Sequence, residues 1–241
     1  MLRETPSPRY DWKMRVAALL LGAGRGERLL HAVPKALVPL AGRPLFAHSL
    51  AVLVATPEID LVVPVVPESE QEAFDSALAA FDDGGKCWPC VPGGAERQDS
   101  VAAGLDALPE DVGWVAVHDA ARPRVRASDV SRVVAAAREF GAAILAVPTA
   151  DTVKRVRDGL VVETPLRSEC WAAQTPQVFS VELLREALGR AASEGRRGTD
   201  CSQLVEALGV PIRVVEGDPG NFKITAPRDL ALAEVLRGTD P

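Results

Sequence analysis

The sequence contains no long hydrophobic run. Its first strongly apolar stretch, residues 16–21, has only six residues, whereas a membrane-spanning helix needs about 20. The same stretch is too short for the core of a signal peptide. We therefore expect a cytoplasmic protein that has no membrane partner.

The sequence also lacks an excess of positive charge. Its 27 Lys and Arg residues are outnumbered by 33 Asp and Glu residues, which gives a net charge of -6. Proteins that bind nucleic-acid polymers normally carry a basic surface, so we expect no such partner. A small phosphorylated ligand is not excluded, because it needs only a local cluster of cations.

Cysteines are few, and their spacing does not define a metal site. Cys87 and Cys90 form a Cys-Trp-Pro-Cys segment, but Cys170 and Cys201 each stand alone. A structural zinc site needs four ligands at suitable spacing. We interpret all four as structural thiols of a reducing compartment.

Segments typical of strands and helices alternate along the chain. This alternation predicts an α/β fold with a single doubly wound, mostly parallel sheet. We expect one domain over residues 14–241, preceded by a flexible tail at 1–13. The predicted strands are 16–21, 61–66, 87–91, 114–117, 142–147, 212–215 and 221–225. The predicted helices are 43–55, 68–81, 96–108, 128–140 (capped by Ser128), 181–194, 199–208 and 227–236.

The alternation is interrupted at residues 149–171. This segment is polar and rich in β-branched residues, and Asp158-Gly159 is a strong hairpin-turn signal. An exposed hairpin must be covered. We therefore predict a projecting β-hairpin arm that joins two subunits in a homodimer.

Three glycines at alternate positions follow the first predicted strand. Gly22, Gly24 and Gly26 allow the backbone to approach a ligand closely, and the cations Arg28 and Lys35 come after them. A dinucleotide-binding turn would need a small residue at position 28, and a P-loop would need Gly-Lys-Ser/Thr directly after the glycines. The pattern favours another kind of phosphate site, in which the cations fold back over a triphosphate.

Two further segments at predicted strand ends carry chemistry. Gly93-Gly94 leads into a helix on which Arg97 and Ser100 share one face. Asp119 follows the fourth predicted strand, at a position where a carboxylate could hold a divalent cation that bridges phosphates. Each segment alone could also be a capped helix or an ordinary ion pair. Since post-strand loops of a doubly wound sheet meet at one edge, we expect them to line one cleft with the glycine loop.

Taken together, these segments resemble the 2-C-methyl-D-erythritol 4-phosphate cytidylyltransferase family over about residues 16–236. The His-Asp-Ala-Ala-Arg-Pro, Asp-Thr and Thr-Pro-Gln segments are much more specific to this family than the glycine loop, which many sugar-nucleotide transferases share. The matching segments are the glycine loop with Arg28 and Pro34-Lys35, Gly93-Gly94 with Glu96-Arg97 and Asp99-Ser100, residues 118–123, 151–154, 175–177 and 199–200, and Lys223 within Asn-Phe-Lys-Ile-Thr.

The resemblance implies transfer of a cytidylyl group from CTP to a polyol phosphate, with Mg²⁺ near Asp119. It implies that the arm exchanges between subunits, so that the sugar-phosphate site includes residues of both. Departures from the family pattern are Gly22, Ala95 and Cys201. The implied nucleotide-binding residues are Gly22, Ala23, Gly24, Gly26, Gly94, Arg97, Ser100 and Ala120. The implied substrate-binding residues are Asp119, Thr152, Arg167, Thr175 and Thr199. The implied catalytic cations are Arg28, Lys35 and Lys223.

Three other readings stay open from the sequence. Ribitol 5-phosphate cytidylyltransferases share the architecture and the nucleotide end, and differ only in the polyol pocket. A nicotinamide-dependent oxidoreductase could carry a glycine-rich turn, but Arg28 disfavours it, as does the lack of a well-placed acidic residue after the second strand begins. A non-catalytic nucleotide-binding protein would not need Arg28, Lys35, Asp119 and Lys223 together.

Overall fold

The structure is a computed structural model, and it describes residues 13–24, 34–81 and 83–236. The predicted tail lies almost entirely outside these residues. So do Gly26 and Arg28 of the glycine loop.

The described residues form a sheet with helices on both faces, together with two small hairpin sheets. The strands are β1 (Arg15–Leu21), β2 (Pro39–Leu40), β3 (Arg43–Pro44), β4 (Leu61–Val66), β5 (Val91–Pro92), β6 (Val112–Asp119), β7 (Ala142–Pro148), β8 (Arg155–Arg157), β9 (Leu160–Glu163), β10 (Trp171–Ser180) and β11 (Arg213–Glu216). The helices are α1 (Leu45–Ala55), α2 (Gln71–Ala79), α3 (Arg97–Asp106), α4 (Ala127–Phe140), α5 (Val181–Ser193), α6 (Cys201–Glu206) and α7 (Pro227–Leu236).

The main sheet has seven strands in the order β11-β7-β10-β6-β1-β4-β5. Strands β1, β4, β5 and β6 are parallel, as are β7 and β11. Among these described strands, β10 alone runs antiparallel, between β6 and β7. The prediction of a mostly parallel sheet is confirmed, although β10 was not predicted as a strand.

Side chains of β1 alternate between two helix layers, as expected for a strand buried on both faces. Ala17 and Leu19 pack in one core with α3, α5 and α6. Val16, Ala18 and Leu20 pack in a second core with α1, α2 and α4. The sheet is thus covered on both faces, which holds the ends of its strands in fixed positions.

Several predicted boundaries were wrong. Residues 221–225 do not form a strand. They form a loop in which the Ile224 N–H donates to the Ala121 carbonyl at 2.8 Å. The third strand is only Val91–Pro92, and Cys87 forms an isolated bridge with Val62.

Helix beginnings also differ from the predictions. Helix α4 begins at Ala127, and the residue that precedes it, Arg126, makes no side-chain capping bond. Ser128 is therefore inside the helix and is not its cap. Helix α1 begins at Leu45, because Arg43–Pro44 pair with β2 in a small hairpin.

The predicted hairpin is present as β8 and β9. Arg157 pairs with Leu160, so Asp158 and Gly159 form a two-residue turn. Both turn residues have positive φ, 50° and 77°, as a turn that matches the right-handed strand twist requires. Every residue of β8 and β9 is exposed, so the hairpin contributes nothing to the core of its own chain.

Within the described residues, no helix has both the length and the apolar character needed to cross a membrane.

Helix α2 packs on the core through Phe74, with Ala77 and Leu78 partly buried beside it, and this packing is testable. Phe74 is the buried residue of this helix, and its ring centroid lies 4.9 Å from that of Phe46. We expect Phe74→Ala to lower the free energy of unfolding by about 3–5 kcal/mol, because it removes apolar contacts and leaves a cavity. Urea unfolding measures this, with Val235→Ala at an exposed position as control. Equal effects of the two substitutions would contradict the packing described.

Candidate active site

The site lies where the order of the strands reverses. From β1 the chain adds β4 and then β5 on one side, and then crosses to β6 on the other side of β1. Ligands of open α/β sheets bind at the carboxyl ends of strands at such a point. Asp119, the last residue of β6, pairs with Leu21 at the end of β1. The carboxylate of β6 therefore sits directly beside the start of the glycine loop.

A cleft of about 530 Å³ opens at this edge. Its walls come from the loops after β1, β4, β5 and β6, together with the loop before α7. The lining residues are Leu21, Gly22, Ala23, Gly24, Lys35, Ala36, Pro67, Glu68, Ser69, Gly93, Gly94, Ala95, Glu96, Arg97, Ser100, Asp119, Ala120, Ala121 and Lys223.

The turn after β5 packs directly on the glycine loop. The Gly93 N–H donates to the Val66 carbonyl at 2.8 Å. A Cβ at position 93 would lie 2.5 Å from the Ala23 Cβ and 2.8 Å from the Ser100 Oγ, which is closer than real Cβ atoms approach. Glycine is therefore needed for the two loops to meet, and their backbones share one wall of the cleft.

Asp119 lies at the centre of a cluster of cations. Arg97 Nε is 3.3 Å from its Oδ1, Lys223 Nζ is 2.8 Å from its Oδ2, and Arg122 Nε is 3.9 Å from Oδ2. Burial alone would raise the pKa of the Asp119 carboxyl, but the three positive charges together hold that pKa well below its usual range. Asp119 is thus ionised, and it holds Arg97 and Lys223 in the same cleft.

Behind Asp119 lies a buried polar layer. The Thr175 hydroxyl is 3.0 Å from the Asp119 backbone nitrogen and 3.0 Å from His118 Nδ1. His118 Nε2 lies 3.2 Å from the Arg122 carbonyl oxygen. His118 is fully buried, and burial lowers its pKa to about 4. The imidazole is therefore neutral near pH 7.

A second contact of Arg97 was not predicted. Its Nη1 donates to the Cys201 Sγ at 3.2 Å, at the beginning of α6. Burial raises the pKa of the Cys201 thiol, so the acceptor is a neutral sulfur. The sequence indicated Cys201 only as a departure from the family pattern, and nothing local indicated that it would contact Arg97.

Most residues predicted to bind nucleotide line the cleft, together with Lys35 and Lys223 of the catalytic set and Asp119. Those that line it are Gly22, Ala23, Gly24, Lys35, Gly94, Arg97, Ser100, Asp119, Ala120 and Lys223. Gly26 and Arg28 lie outside the described residues. The cleft also has a wall that the sequence reasoning missed, at residues 67–69. These directly follow β4, so the same strand-end rule would have found them.

The predicted substrate residues other than Asp119 are not among the residues that line the cleft. Thr152 and Arg167 are exposed, and Arg167 Nη1 donates to the Ala150 carbonyl at 3.1 Å. Thr199 is exposed and bonds to the Gln203 side chain. Thr175 is only 3% exposed, and its hydroxyl is directed to His118 and Asp119.

The third residue of the Thr-Pro-Gln segment faces a different helix. Gln177 Oε1 accepts bonds from the backbone N–H groups of Cys201 and Ser202, and its Nε2 donates to Asp200 Oδ2 at 2.7 Å. It therefore satisfies unpaired donors at the beginning of α6. This fixes the loop that carries Thr199 relative to β10.

No group of three or more His, Cys, Asp or Glu residues able to hold a metal ion occurs among the described residues.

Comparison with known proteins identifies the family of this chain. The sequence profile of the family IspD: 2-C-methyl-D-erythritol 4-phosphate cytidylyltransferase matches residues 16–238. Proteins named 2-C-methyl-D-erythritol 4-phosphate cytidylyltransferase are similar in sequence. The one from Desulforamulus reducens is 42% identical and covers 92% of this chain and 95% of its own length. The one from Pelotomaculum thermopropionicum is 43% identical, over 92% of this chain and 94% of its own length.

Solved structures give the same result. A 4-diphosphocytidyl-2C-methyl-D-erythritol synthase from Anaerococcus prevotii superimposes with a TM-score of 0.83 at 28% identity, over 92% of this chain and 95% of that one. The 2-C-methyl-D-erythritol 4-phosphate cytidylyltransferase from Thermus thermophilus superimposes with a TM-score of 0.75 at 36% identity, over 92% and 98%. This chain therefore belongs to the 2-C-methyl-D-erythritol 4-phosphate cytidylyltransferase family.

Proposed function

We propose that the protein transfers a cytidylyl group from CTP to 2-C-methyl-D-erythritol 4-phosphate and releases pyrophosphate, a step of non-mevalonate isoprenoid precursor synthesis. One observation carries the proposal beyond family membership. Lys35, Arg97 and Lys223 come from distant parts of the chain, yet they line one cleft with two glycine turns. This arrangement suits a polyphosphate that must be brought close to a second phosphate.

The nucleotide would occupy the side of the cleft formed by the two glycine turns. Backbone groups of Gly22, Gly24 and Gly94 lie on its wall, without side chains in front of them. Ser100 lies in the first turn of α3 beside Arg97, and the dipole of that helix favours negative charge there. Ala23 and Ala120 complete this side of the cleft.

Charge neutralisation would supply most of the catalysis. The 4-phosphate oxygen attacks the α-phosphorus of CTP, and negative charge spreads over the equatorial oxygens as pyrophosphate departs. The attacking phosphate is already ionised, so no general base is required. In this proposal Lys35 and Arg28 act on the α-phosphate and the leaving group, and Lys223 aligns the incoming phosphate.

The donor set fits a magnesium ion that is held mainly by substrate. Mg²⁺ in nucleotide sites takes one or two carboxylates, with phosphate oxygens and water as its other ligands. Asp119 is an ionised carboxylate in the cleft wall, and Glu68 and Glu96 also line the cleft. Asp119 would be the protein ligand. When bound, the cation would neutralise charge on the phosphates.

The arm would complete the polyol-phosphate end of the site in a homodimer. Val156, Leu160 and Val161 of the arm are 55%, 71% and 59% exposed, and burying such apolar surface against a second copy is favourable. We propose that Thr152 and Arg167 reach the neighbour's site, where they join Thr199 and Lys223. We place the reaction in the cytoplasm, where free thiols such as the four in this chain are usual.

Turnover with defined substrates tests the proposed function directly. We expect pyrophosphate release from CTP with 2-C-methyl-D-erythritol 4-phosphate in the presence of Mg²⁺, and loss of that activity in EDTA. Faster turnover of ribitol 5-phosphate would show that ribitol 5-phosphate is the substrate instead. Binding of CTP without turnover of either would show a non-catalytic protein and would refute the proposal.

Removal of a cation from the cleft tests the mechanism. We expect Lys35→Ala, Lys223→Ala and Arg28→Ala each to lower kcat about 10²–10³-fold, because donors that act in the transition state contribute about 2.7–4 kcal/mol. Steady-state kinetics measures this. Arg190→Ala is the matched control, since Arg190 pairs with Glu194 in an exposed i,i+4 ion pair on α5. Near-normal turnover in one of these three variants would show that the substituted residue takes no part in the mechanism.

A mixing experiment tests whether the arm acts on the neighbouring subunit. We expect Arg167→Ala to raise KM for the polyol phosphate and to leave KM for CTP unchanged. Subunits carrying Lys35→Ala, mixed with subunits carrying Arg167→Ala, should regain activity, because one site of the mixed dimer then has both residues intact. Absence of any recovery in mixed dimers would contradict exchange of the arm.

A further inference from the structure

The buried polar layer behind Asp119 contains two side chains, Thr175 and His118, that are not among the residues lining the cleft. Asp119 is the last residue of β6, and the pairing of β6 with β10 extends only as far as Val117 and Gln177. Beyond that point the backbone N–H of Asp119 has no strand partner in β10. It donates instead to the side-chain hydroxyl of Thr175, at 3.0 Å.

The chemistry of the groups fixes the direction of each hydrogen bond. The Arg122 carbonyl oxygen can only accept, so His118 Nε2, which lies 3.2 Å away, must carry the proton. In the neutral imidazole Nδ1 is then an acceptor. The Thr175 oxygen accepts from the Asp119 N–H, which leaves its own hydrogen free to be donated to His118 Nδ1 at 3.0 Å.

We propose that Thr175 and His118 are positioning residues, joined in one directional hydrogen-bond chain that fixes the Asp119 backbone and so aims its carboxylate at Arg97 and Lys223. The chain runs from the Asp119 N–H to the Thr175 hydroxyl, from that hydroxyl to His118 Nδ1, and from His118 Nε2–H to the Arg122 carbonyl. Thr175 thus acts through Asp119, and it does not touch the substrate.

The position of Lys223 depends on the same buried polar layer. Arg122 Nη1 donates to the Asn221 carbonyl at 2.8 Å, and Asn221 Nδ2 donates to the Thr175 carbonyl at 3.0 Å. Asn221 is fully buried and lies two residues before Lys223. The segment that carries Lys223 is therefore fixed by residues that belong to the hydrogen-bond chain or bond directly to it. Asn221 Oδ1 and Arg122 Nε have no hydrogen-bond partner among the described residues, so the restraint on this segment comes from the bonds named above.

The proposal rests on the proposed function for its kinetic test, but its first test needs no substrate. In protein with ¹⁵N-labelled histidine, the ring nitrogen shifts of His118 should show a protonated Nε2 and an unprotonated, hydrogen-bonded Nδ1. In Thr175→Val the Nδ1 signal should move to that of an acceptor without a donor. A proton on Nδ1 in the wild-type protein would overturn the proposal. Failure of turnover would leave this result unaffected.

Kinetics separates positioning from substrate contact. Thr175→Val and His118→Gln should each lower kcat about 10–100-fold, the range typical of residues that orient a functional group, with KM for the polyol phosphate changed less than about threefold. Thr175→Ser keeps the hydroxyl and His118→Asn keeps an acceptor near the Nδ1 position, so each should recover most of kcat. A rise in KM for the polyol phosphate in Thr175→Val, without loss of kcat, would show a direct substrate contact instead.

A double mutant provides the sharpest comparison. If the two residues act through one chain, Thr175→Val with His118→Gln should be no more than about threefold slower than the slower single variant, because coupled residues are not additive. If the kcat losses of the two single variants multiply in the double variant, the proposal is overturned. Thr56→Val is the matched control, since Thr56 is fully buried and donates to Val52 within α1 at 2.8 Å. It should cost stability without loss of kcat.

Discussion

The ionised carboxylate of Asp119, held among three cations, is the interaction on which the rest of the site depends. Burying a charge without partners is prohibitive, so Asp119 can lie 7% exposed only because Arg97, Arg122 and Lys223 surround it. These three come from the beginning of α3, the loop after β6 and the loop before α7. One carboxylate thus draws together segments that are far apart in sequence, and it holds two of their cations in the cleft.

The sequence allowed the meeting of the two glycine turns with Asp119 to be predicted, because the signals for these segments are local. A short apolar run followed by alternate glycines identifies a buried strand and a ligand-facing loop, and the strand-end rule then brings Gly94 and Asp119 to the same edge. The parallel sheet followed from the alternation of strands and helices. None of these inferences needed information about contacts between distant side chains.

What could not be predicted depends on such distant contacts. Strand β10 contains Pro176 and has little alternation of apolar and polar residues, and only its insertion between β6 and β7 makes it a strand. Residues 221–225 have a strand-like pattern, but Ile224 packs with Val38 and Leu45 in a separate small core. The family resemblance implied that Thr175 contacts substrate, and the position of β10 directs its hydroxyl to His118 and the Asp119 backbone.

The insertion of β10 also has a consequence for how the chain folds during synthesis. Strands β6 and β7 precede β10 in sequence, yet neither can pair directly with the other in the finished sheet. A nascent chain that ends before residue 171 therefore leaves one edge of β6 and both edges of β7 unpaired, since β11 is also made later, and such edges are templates for aggregation. Since Thr175 and Lys223 are also made late, an emerging chain acquires its glycine loop well before it has a complete cleft.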